Sequence, residues 1–256
     1  MQNRTAPAYP IASVDNALTL LELLRDRGQL RVADAAATLG TSRSTAHRLL
    51  AMLEYRGFAR QDPASRGYTA GPALVAAGLA ALAGMDIRGL ARPVLERLTA
   101  EVGETAHLVV LDAGSVVFVE SVETARALRI GSRLGRVMPA PCTAGGKAIL
   151  AQLPSAEIRR LYPRGRLRRM TDRSLRTLAE LEGELDEVRR RGYAVNRGQS
   201  EEDVAAVAVA VPGPGTARAA ITVSAPMTRL KARDVSRLAD AVERAAAELG
   251  RAAAGD

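Results

Sequence analysis

The chain has 256 residues, of which 47% are hydrophobic, and 36 basic residues against 28 acidic ones give it a formal net charge of +8. This size allows one large domain or two ordinary ones, and we favour two; the basic balance suits a polyanionic partner such as nucleic acid. The single cysteine, Cys142, excludes an intramolecular disulfide and a cysteine-based zinc site, so we expect no metal and a reducing compartment, the cytoplasm.

The first predicted helix follows a short polar segment. Residues 1–12 lack the apolar core of a signal peptide and are predicted to be a disordered lead-in. Ser13 is expected to cap the helix, which should end at Arg27 and Gly28 and cover the back of the next two helices. Its apolar residues recur at helical spacing: Val14, Ala17, Leu18, Leu21 and Leu24.

Two short helices are then predicted to meet at the turn Gly40-Thr41-Ser42. Gly40 can take the positive φ that ends a helix, and Ser42 is a plausible N-cap for the next one. At a period of 3.6 one face of the second helix is apolar: Ala46, Leu49, Leu50 and Leu53. With the small Ala36 at the crossing point, this layout is typical of a helix-turn-helix, although an ordinary pair of packed helices is the alternative.

A β-hairpin, or wing, is predicted after these helices. Its strands lie around residues 58–61 and 68–69, and its turn-rich loop carries Arg66 at the tip. Arg48 is the best candidate for reading guanine, because a guanidinium can bond O6 and N7 together, and Arg43 and Ser44 suit phosphate oxygens. His47 lies on the same exposed face, and the sequence is equally compatible with a contact from His47 to DNA and with a solvent-exposed histidine that contacts nothing. The candidate DNA-contacting residues are Thr41, Ser42, Arg43, Ser44, Thr45, His47, Arg48 and Arg66.

A linker helix is predicted over residues 71–84, after a DNA-binding domain of residues 13–70. It is apolar nearly all round, so it needs partners on most sides. These partners lie either within its own chain or in the same helix of a second chain. We favour the second chain, because helix-turn-helix proteins commonly dimerise to match two half-sites. The stretch is far shorter than the roughly 20 residues that span a bilayer, so no membrane role is predicted.

Residues 85–256 are predicted to form an α+β domain built on an antiparallel sheet, because strands come in runs with helices packed to one side. The expected helices cover residues 87–102, bent or begun by Pro93, then 144–153, 178–191 and 235–249. The expected strands cover residues 106–111, 116–122, 128–130, 193–195, 204–211 and 217–225, with a loop over 131–143.

Candidates for catalytic chemistry are weak in this domain. Gly145-Gly146-Lys147 lacks the first glycine and the Ser or Thr of a phosphate-binding loop. Cys142 precedes a helix start, where a thiolate pKa could fall, but a buried small residue fits better because neither histidine is expected beside it. His107 is expected to be a core histidine with its partners satisfied. The arginines 189–191 are expected to stabilise a helix end, with phosphate binding as the alternative.

The sequence resembles the IclR (isocitrate lyase regulator) family of bacterial transcription factors. The segments that carry the resemblance are SVDNALTLLELL, TSRSTAHRLLAMLEYRGF, SRGYTAGPAL, TAGGKAILA, RRRGYAVNRGQ and AAITVSAPMTRL. The resemblance implies an N-terminal winged helix-turn-helix, a linker helix, and a C-terminal effector domain with a GAF-like or profilin-like antiparallel sheet that binds a small molecule. It also implies a dimer or tetramer that usually represses transcription and in some members activates it.

The resemblance places an effector pocket between the sheet and the loop that leads into the Lys147 helix, where backbone N–H groups would hold a carboxylate. The implied effector-binding residues are Met138, Cys142, Ala144, Gly145, Asn196, Val204 and Ala206. Many members have His where this chain has Pro141, Asp in place of Asn196 and Glu in place of Gln199, and one branch has Cys in place of Ala206. These departures leave the identity of the effector open.

We therefore predict a sequence-specific DNA-binding regulator, most simply a repressor, whose operator affinity changes when a small organic acid binds. Its partners would be double-stranded operator DNA, the effector, and further copies of the chain as a homodimer or a dimer of dimers. The alternative is a metabolite-handling enzyme in which the winged module only mediates assembly. The sequence offers no nucleophile and base together for such an enzyme, and no cofactor is expected.

Overall fold

A computed structural model describes residues 9, 11–74, 77, 87–213 and 218–255. The chain divides into two compact units, residues 1–84 and 85–256. Residues 72–74 are helical, at the start of the predicted linker helix. The rest of that helix, apart from residue 77, lies outside the described residues, as does most of the predicted lead-in. The pairing of the linker helix with a second chain, and the division into lead-in, linker and domains, therefore stay predictions.

The first unit is a winged helix-turn-helix. Its elements in chain order are α1 (Ala12–Arg27), β1 (Gln29–Leu30), α2 (Val32–Leu39), α3 (Arg43–Tyr55), β2 (Ala59–Gln61) and β3 (Tyr68–Ala70). The strands form an antiparallel sheet in the order β1-β3-β2, in which β1 was not predicted. A small core, centred on Leu20, Ala46 and Leu50, joins the three helices to the sheet.

Helix α1 differs from the prediction at its start and on one face. It begins at Ala12, because the carbonyl of Ile11 already accepts from the backbone N–H groups of Val14 and Asp15, both at 3.0 Å. The predicted cap by Ser13 is therefore wrong. Val14 and Leu18 were expected to cover the other helices, but they are 51% and 56% exposed, since Leu20 and Leu24 take the buried positions.

The second unit begins with α4 (Ile87–Val102), which contains Pro93, and ends with α8 (Val235–Ala254). Its strands are β4 (Thr105–Asp112), β5 (Ser115–Val122), β6 (Val137–Pro139), β7 (Ala194–Arg197), β8 (Val204–Ala210) and β9 (Ala219–Pro226). Its other helices are two 3₁₀ turns (Ala140–Cys142 and Ala232–Asp234), α5 (Ala144–Leu150), α6 (Ser155–Leu161) and α7 (Leu178–Arg191). The six strands pair antiparallel in the order β6-β5-β4-β9-β8-β7, which confirms the predicted α+β class.

The two faces of this sheet carry different layers. Alternate residues of a strand point to opposite faces. Ala206 and Ala208 of β8 belong to the core with α5 and α7, whereas Ala205 and Val207 pack with α8. Helix α4 packs beside α8 and against β4 and β5. Among the described residues, no helix has both the length and the apolarity needed to cross a membrane.

The segment between β5 and β6 departs most from the prediction. Residues 128–130 form no strand, because side chains rather than a neighbouring strand bind their carbonyls: Arg229 Nη1 donates to Leu128 O at 2.8 Å and Thr105 Oγ1 donates to Ile130 O at 2.6 Å. Strand β6 lies in the predicted loop, and α6 was not predicted. Helix α5 ends at Leu150, three residues early.

Candidate DNA-binding surface and effector cavity

Helix α3 is fixed at its start by the turn that precedes it. Gly40 adopts φ 62°, and the N–H of Thr41 donates to Ala36 O at 3.0 Å, which closes the end of α2. Ser42 Oγ accepts from the backbone N–H of Thr45 at 3.1 Å and so caps α3, as the sequence predicts. Because Ala36 and Ala46 are both small and buried, the two helices pack closely.

The structure brings the predicted DNA-contacting residues of the turn and α3 to one part of the surface. Six are exposed and one, Thr41, is half-buried; the exposed ones are Ser42, Arg43, Ser44, Thr45, His47 and Arg48. The apolar face opposite them holds the helix in the core through Ala46, Leu50 and Leu53. The surface therefore offers hydroxyl, imidazole and guanidinium donors on a helix that the core keeps in place.

The tip of the wing is shaped by Asp62. Its carboxylate accepts from Ser65 Oγ at 2.6 Å and from the backbone N–H of Ala64 at 3.0 Å, and these bonds, that from Ser65 first, lower the pKa of Asp62. Arg66 adopts the left-handed φ of 56°, and its carbonyl accepts from Gln61 Nε2 at 3.1 Å. The loop thus leaves the Arg66 side chain exposed at the tip.

An apolar groove of about 740 Å³ runs between α1 and α3 beside this surface. Val14 and Leu18 of α1 and Met52 of α3 line it and are each more than half exposed, and Thr45 and Arg48 border it. Sequence reasoning missed the groove because it assigned the apolar residues of α1 to the core. Two of the predicted DNA-contacting residues therefore lie next to apolar surface.

A second concave feature lies inside the second unit, between the sheet and the start of α5. It is a narrow cavity of about 10 Å³, room for about one water molecule. Its lining comes from β4, β5, β7, β8 and β9, from α5 and its N-cap, and from the segments before β6 and β8: Val109, Phe118, Arg133, Thr143, Ala144, Gly145, Asn196, Ser200, Val204, Ala206, Thr222 and Ser224.

Five of the seven implied effector-binding residues line this cavity, namely Ala144, Gly145, Asn196, Val204 and Ala206. The other two do not line it. Met138 is buried, and its Sδ accepts from Arg133 Nη1 at 3.6 Å. Cys142 is buried as well; its Sγ donates to Arg168 O at 3.2 Å and its carbonyl accepts from Asn196 Nδ2 at 3.1 Å.

Helix α5, which forms one wall of the cavity, is held at its N-terminus and at its middle. Thr143 caps it by accepting from the backbone N–H of Gly146 at 3.0 Å. The ammonium of Lys147 is buried and donates to the side chains of Glu184 and Gln199 and, at 2.7 Å, to Val195 O. Burial lowers the pKa of Lys147 although Glu184 opposes the shift. This lysine is a structural link between α5, α7 and β7.

Sequence reasoning missed the most polar part of the lining. Arg133 lies in the segment between β5 and β6, is only 4% exposed, and donates through Nη2 to Glu201 Oε2 at 2.9 Å. Thr222 lies on β9, and its Oγ1 is buried without a hydrogen-bond partner among the described residues. No local signal marks either residue, because both reach the cavity through long-range folding. Buried arginines are rare unless paired.

His107 and Cys142 behave as buried structural groups. His107 Nδ1 bonds Ser121 Oγ at 2.5 Å, but its Nε2 has no partner in the described part of the chain, so the prediction of a fully satisfied histidine is wrong. Complete burial, with a smaller effect from Arg133, lowers the pKa of His107 to about 3. Burial raises the pKa of Cys142, so the thiol is not activated.

The remaining candidates also have structural partners. Arg189 Nε donates to Ala151 O at 2.8 Å, Arg190 pairs with Glu187, and Arg191 Nε donates to Tyr193 O at 2.7 Å. Within the described ranges, no group of three His, Cys, Asp or Glu side chains is placed to hold a metal ion.

Family comparisons cover both units. Residues 79–251 match the family described as bacterial transcriptional regulator IclR, C-terminal, and residues 13–63 match the IclR helix-turn-helix domain. The regulator XynR of Escherichia coli K12 is 32% identical over 244 residues, which cover 94% of this chain and 97% of that protein. The transcriptional repressor IclR of the same organism is 28% identical over 250 residues, with coverage of 96% and 91%.

A solved structure agrees with these relatives. The IclR transcriptional regulator of Alicyclobacillus acidocaldarius superimposes with a TM-score of 0.75 and 30% identity, and the alignment covers 94% of this chain and 98% of that one. The described fold and the matched segments therefore point to the same family.

Proposed function

The chain belongs to the IclR family of DNA-binding transcriptional regulators and is not an enzyme; we propose that it represses transcription from operators bound by α3 and the wing, and that a small molecule in the cavity changes this binding. Two relatives are named as repressors, IclR of Escherichia coli and the acetate operon repressor of Salmonella typhimurium. These names support repression rather than activation of transcription by this chain. Operator DNA lies in the cytoplasm, so we propose that location.

One observation carries the DNA-binding part of this proposal: the exposed face of α3 is rich in hydrogen-bond donors, and the opposite face of the helix is packed in the core. Ser42 caps the helix and its opposite face is buried, so Ser44, His47 and Arg48 are held in place while free of the core. A helix in this position of a helix-turn-helix enters the major groove and contacts base edges with its N-terminal residues. Arg48 is proposed to read a guanine, and Arg43 to contact phosphate.

The test starts with selection of a binding site from random-sequence DNA by the full-length protein, followed by titration of the selected duplex. We expect Arg48→Ala to weaken binding by about 1–3 kcal/mol and to relax the preference at one base pair. Arg27→Ala is the matched control, because it removes the same charge from an exposed residue at the end of α1. Equal losses for the two variants, or no loss for Arg48→Ala, would contradict base reading by α3.

The effector part rests on the cavity beside α5, whose lining is mixed polar and apolar. Thermal-shift screening of small metabolites against the full chain is expected to find a stabilising compound that also changes operator affinity. A reporter gene placed behind the selected operator distinguishes repression from activation. Expression of the reporter should fall when the protein is produced and recover when that compound is added. Activation without ligand would contradict the repressor assignment.

We also propose a homodimer or a dimer of dimers as the active form, since a single winged module covers only one half-site. Sedimentation velocity of the free protein and of its complex with the selected duplex tests this. A complex that contains one chain per duplex would refute it.

A further inference from the structure

Nearly all of the net positive charge of the chain lies in one short segment of the second unit. Residues 159–176, here called the arginine segment, contain eight arginines and one acidic residue, Asp172, so they carry +7 in a chain whose formal net charge is +8. The side chains of all eight arginines are exposed: Arg159, Arg160, Arg164, Arg166, Arg168, Arg169, Arg173 and Arg176. Because the charges of all other residues nearly cancel, a polyanion is attracted to this segment more strongly than to the rest of the second unit.

The arginine segment is folded back on itself between α6 and α7. The part that follows α6 runs antiparallel to the part that precedes α7. The N–H of Leu178 donates to Gly165 O at 2.9 Å, and the N–H of Leu167 donates to Arg176 O at 3.0 Å. Arginines that are about ten positions apart in the sequence are therefore brought together at the start of α7.

The middle of the segment is anchored to the loop that follows β7. Ser174 is buried, and its Oγ donates to Gln199 O at 2.6 Å. Thr171 Oγ1 donates to Gly198 O at 2.6 Å. The arginines therefore stand on a backbone that the fold holds in place, and an ordered surface has less conformational entropy to lose on binding than a disordered basic tail.

The acidic residues in and beside the segment leave most of its charge uncompensated. Asp172 pairs with Arg169 at 2.8 Å, and Glu182 of α7 pairs with Arg159 at 3.2 Å. Within the described part of the chain, four guanidinium groups of the segment make no hydrogen bond and no ion pair: Arg160, Arg164, Arg166 and Arg176. These four groups keep all of their N–H donors available to a partner.

Two further carboxylates lie close to the segment, and each has a partner already. Glu180 accepts from the backbone N–H groups of Arg176, at 2.6 Å, and of the next residue, at 3.3 Å. The bond from Arg176, and the charges of Arg176 and Arg169, lower the pKa of Glu180. Glu157 of α6 pairs with Arg218 outside the segment at 2.7 Å. The start of α7 is therefore a strongly positive surface.

The composition of this surface fits nucleic acid better than protein. The buried centre of a protein interface is depleted of charge and rich in apolar and aromatic anchors. Met170, 39% exposed, is the only exposed large hydrophobic residue of the arginine segment. Surfaces that bind DNA are much more positive than protein interfaces, and most of their hydrogen bonds go to phosphate and sugar, with arginine and lysine among the donors.

We propose that the arginine segment is a second DNA-binding surface, which contacts the phosphates of duplex DNA without reading the base sequence. Each phosphate that an arginine neutralises releases condensed counterions, so these contacts add affinity that depends on salt. This inference goes beyond the proposed function, because it assigns a DNA contact to the second unit and needs no base reading by α3.

The test uses the full-length protein and a duplex of scrambled sequence about 60 base pairs long, titrated at several NaCl concentrations between about 0.05 and 0.2 M. A patch variant removes three of the unpaired arginines: Arg164→Gln, Arg166→Gln and Arg176→Gln. We expect the slope of log affinity against log salt to become shallower by about 2–3, since each lost phosphate contact removes about 0.9. Affinity at about 0.1 M salt should fall at least about tenfold.

A control variant removes the same charge from another exposed part of the second unit, in and beside α8. It combines three arginines that have no ion pair among the described residues: Arg233→Gln, Arg237→Gln and Arg251→Gln. We expect its slope to change by less than about 1, because these arginines are interspersed with acidic residues. A change in the patch variant that is below about 1, or no larger than that of the control, would overturn the inference.

A third variant separates charge from folding. Arg164→Lys, Arg166→Lys and Arg176→Lys keep the three charges and should keep most of the wild-type slope, whereas equal losses in the lysine and glutamine variants would refute phosphate contact. Thermal denaturation of the glutamine variant should show no loss of stability, since like charges are removed. Poly-L-glutamate, bound in place of DNA, probes an acidic protein partner. If the glutamine variant loses poly-L-glutamate but binds DNA as the wild type does, the assignment to DNA is wrong.

The same titrations with the selected operator distinguish this inference from the proposed function. The patch variant should weaken binding to the operator and to scrambled DNA by the same factor, so the ratio of the two affinities stays unchanged. Arg48→Ala should lower that ratio. If the patch variant matches the control while Arg48→Ala lowers the ratio, only the present inference fails; if the wild type shows no preference for any operator, the proposed function fails.

Discussion

Replacing His107 by asparagine should remove the part of the acid sensitivity of the second unit that comes from protonation of this buried imidazole in the unfolded chain. His107 is fully buried, and burial followed by the nearby charge of Arg133 lowers its pKa from 6.5 to about 3. The folded state therefore keeps the imidazole neutral at pH 5, whereas the unfolded chain binds a proton. Since the folded pKa lies below the unfolded one, this group contributes stability that is lost as the pH falls from about 6.5 to about 3.

The magnitude follows from linkage. At pH 5 the unfolded histidine is about 1.5 pH units below its pKa, and each unit corresponds to about 1.36 kcal/mol, so the wild type loses about 2 kcal/mol of unfolding free energy relative to pH 7. The result is insensitive to the folded pKa as long as that value stays well below 5. Asparagine retains a polar atom near the position of Nδ1, which bonds Ser121 Oγ at 2.5 Å, but has no titrating group.

Urea denaturation followed by far-UV circular dichroism at pH 7 and pH 5, at constant ionic strength, measures the effect. The chain has two histidines, and His47 is exposed, so His47→Asn is the matched control and should keep the wild-type loss. Carboxylates that titrate in this range contribute equally to all three proteins. If His107→Asn loses as much stability as the wild type between the two pH values, the reasoning about the buried imidazole is wrong.

Three further substitutions test other parts of the structure. Thr222→Val keeps the shape but removes an orphaned hydroxyl, so the ligand-free protein should gain about 1 kcal/mol in urea denaturation; a loss of stability would mean that the hydroxyl has a partner. Lys147→Met should destabilise the second unit by about 3–5 kcal/mol in the same measurement, because Gln199 Oε1 and Val195 O lose their donor, and a loss below about 1 kcal/mol would contradict the structural role. Ser42→Ala should cost the first unit about 1 kcal/mol through the lost cap on α3, whereas Ser42→Gly should cost only a few tenths; equal losses would argue against the cap.

The first unit was largely predictable because its signals are local. Gly40 ends α2, Ser42 caps α3, and the loop around Asp62 joins two strands, and each of these features depends on residues a few positions apart. The two-residue strand β1 escaped prediction because it is defined only by its pairing with β3, whose partner residues lie about 40 positions away. The exposed apolar face of α1 escaped because periodicity shows that a face is apolar but not what covers it.

The cavity was predictable only where family resemblance supplied positions. Ala144, Gly145 and Asn196 line the cavity, and their role in binding an effector stays a prediction. Arg133 was missed because it sits between glycines in a segment that reads as an exposed loop, and its burial depends on Phe118 and Glu201. Thr222 was missed because alternation along β9 does not distinguish a cavity wall from solid core.

The link made by Lys147 divides the effector domain into a stationary part and an adjustable one. An ammonium that satisfies three acceptors on α7, β7 and the segment after β7 permits little sliding of α5, so the wall formed by Gly145 and Asn196 should keep its position when the cavity fills. Expansion must then be taken up on the opposite side, by residues 123–136, which fold back between β5 and β6. Ligand-dependent hydrogen exchange should therefore be asymmetric, concentrated in that segment and nearly absent from α5.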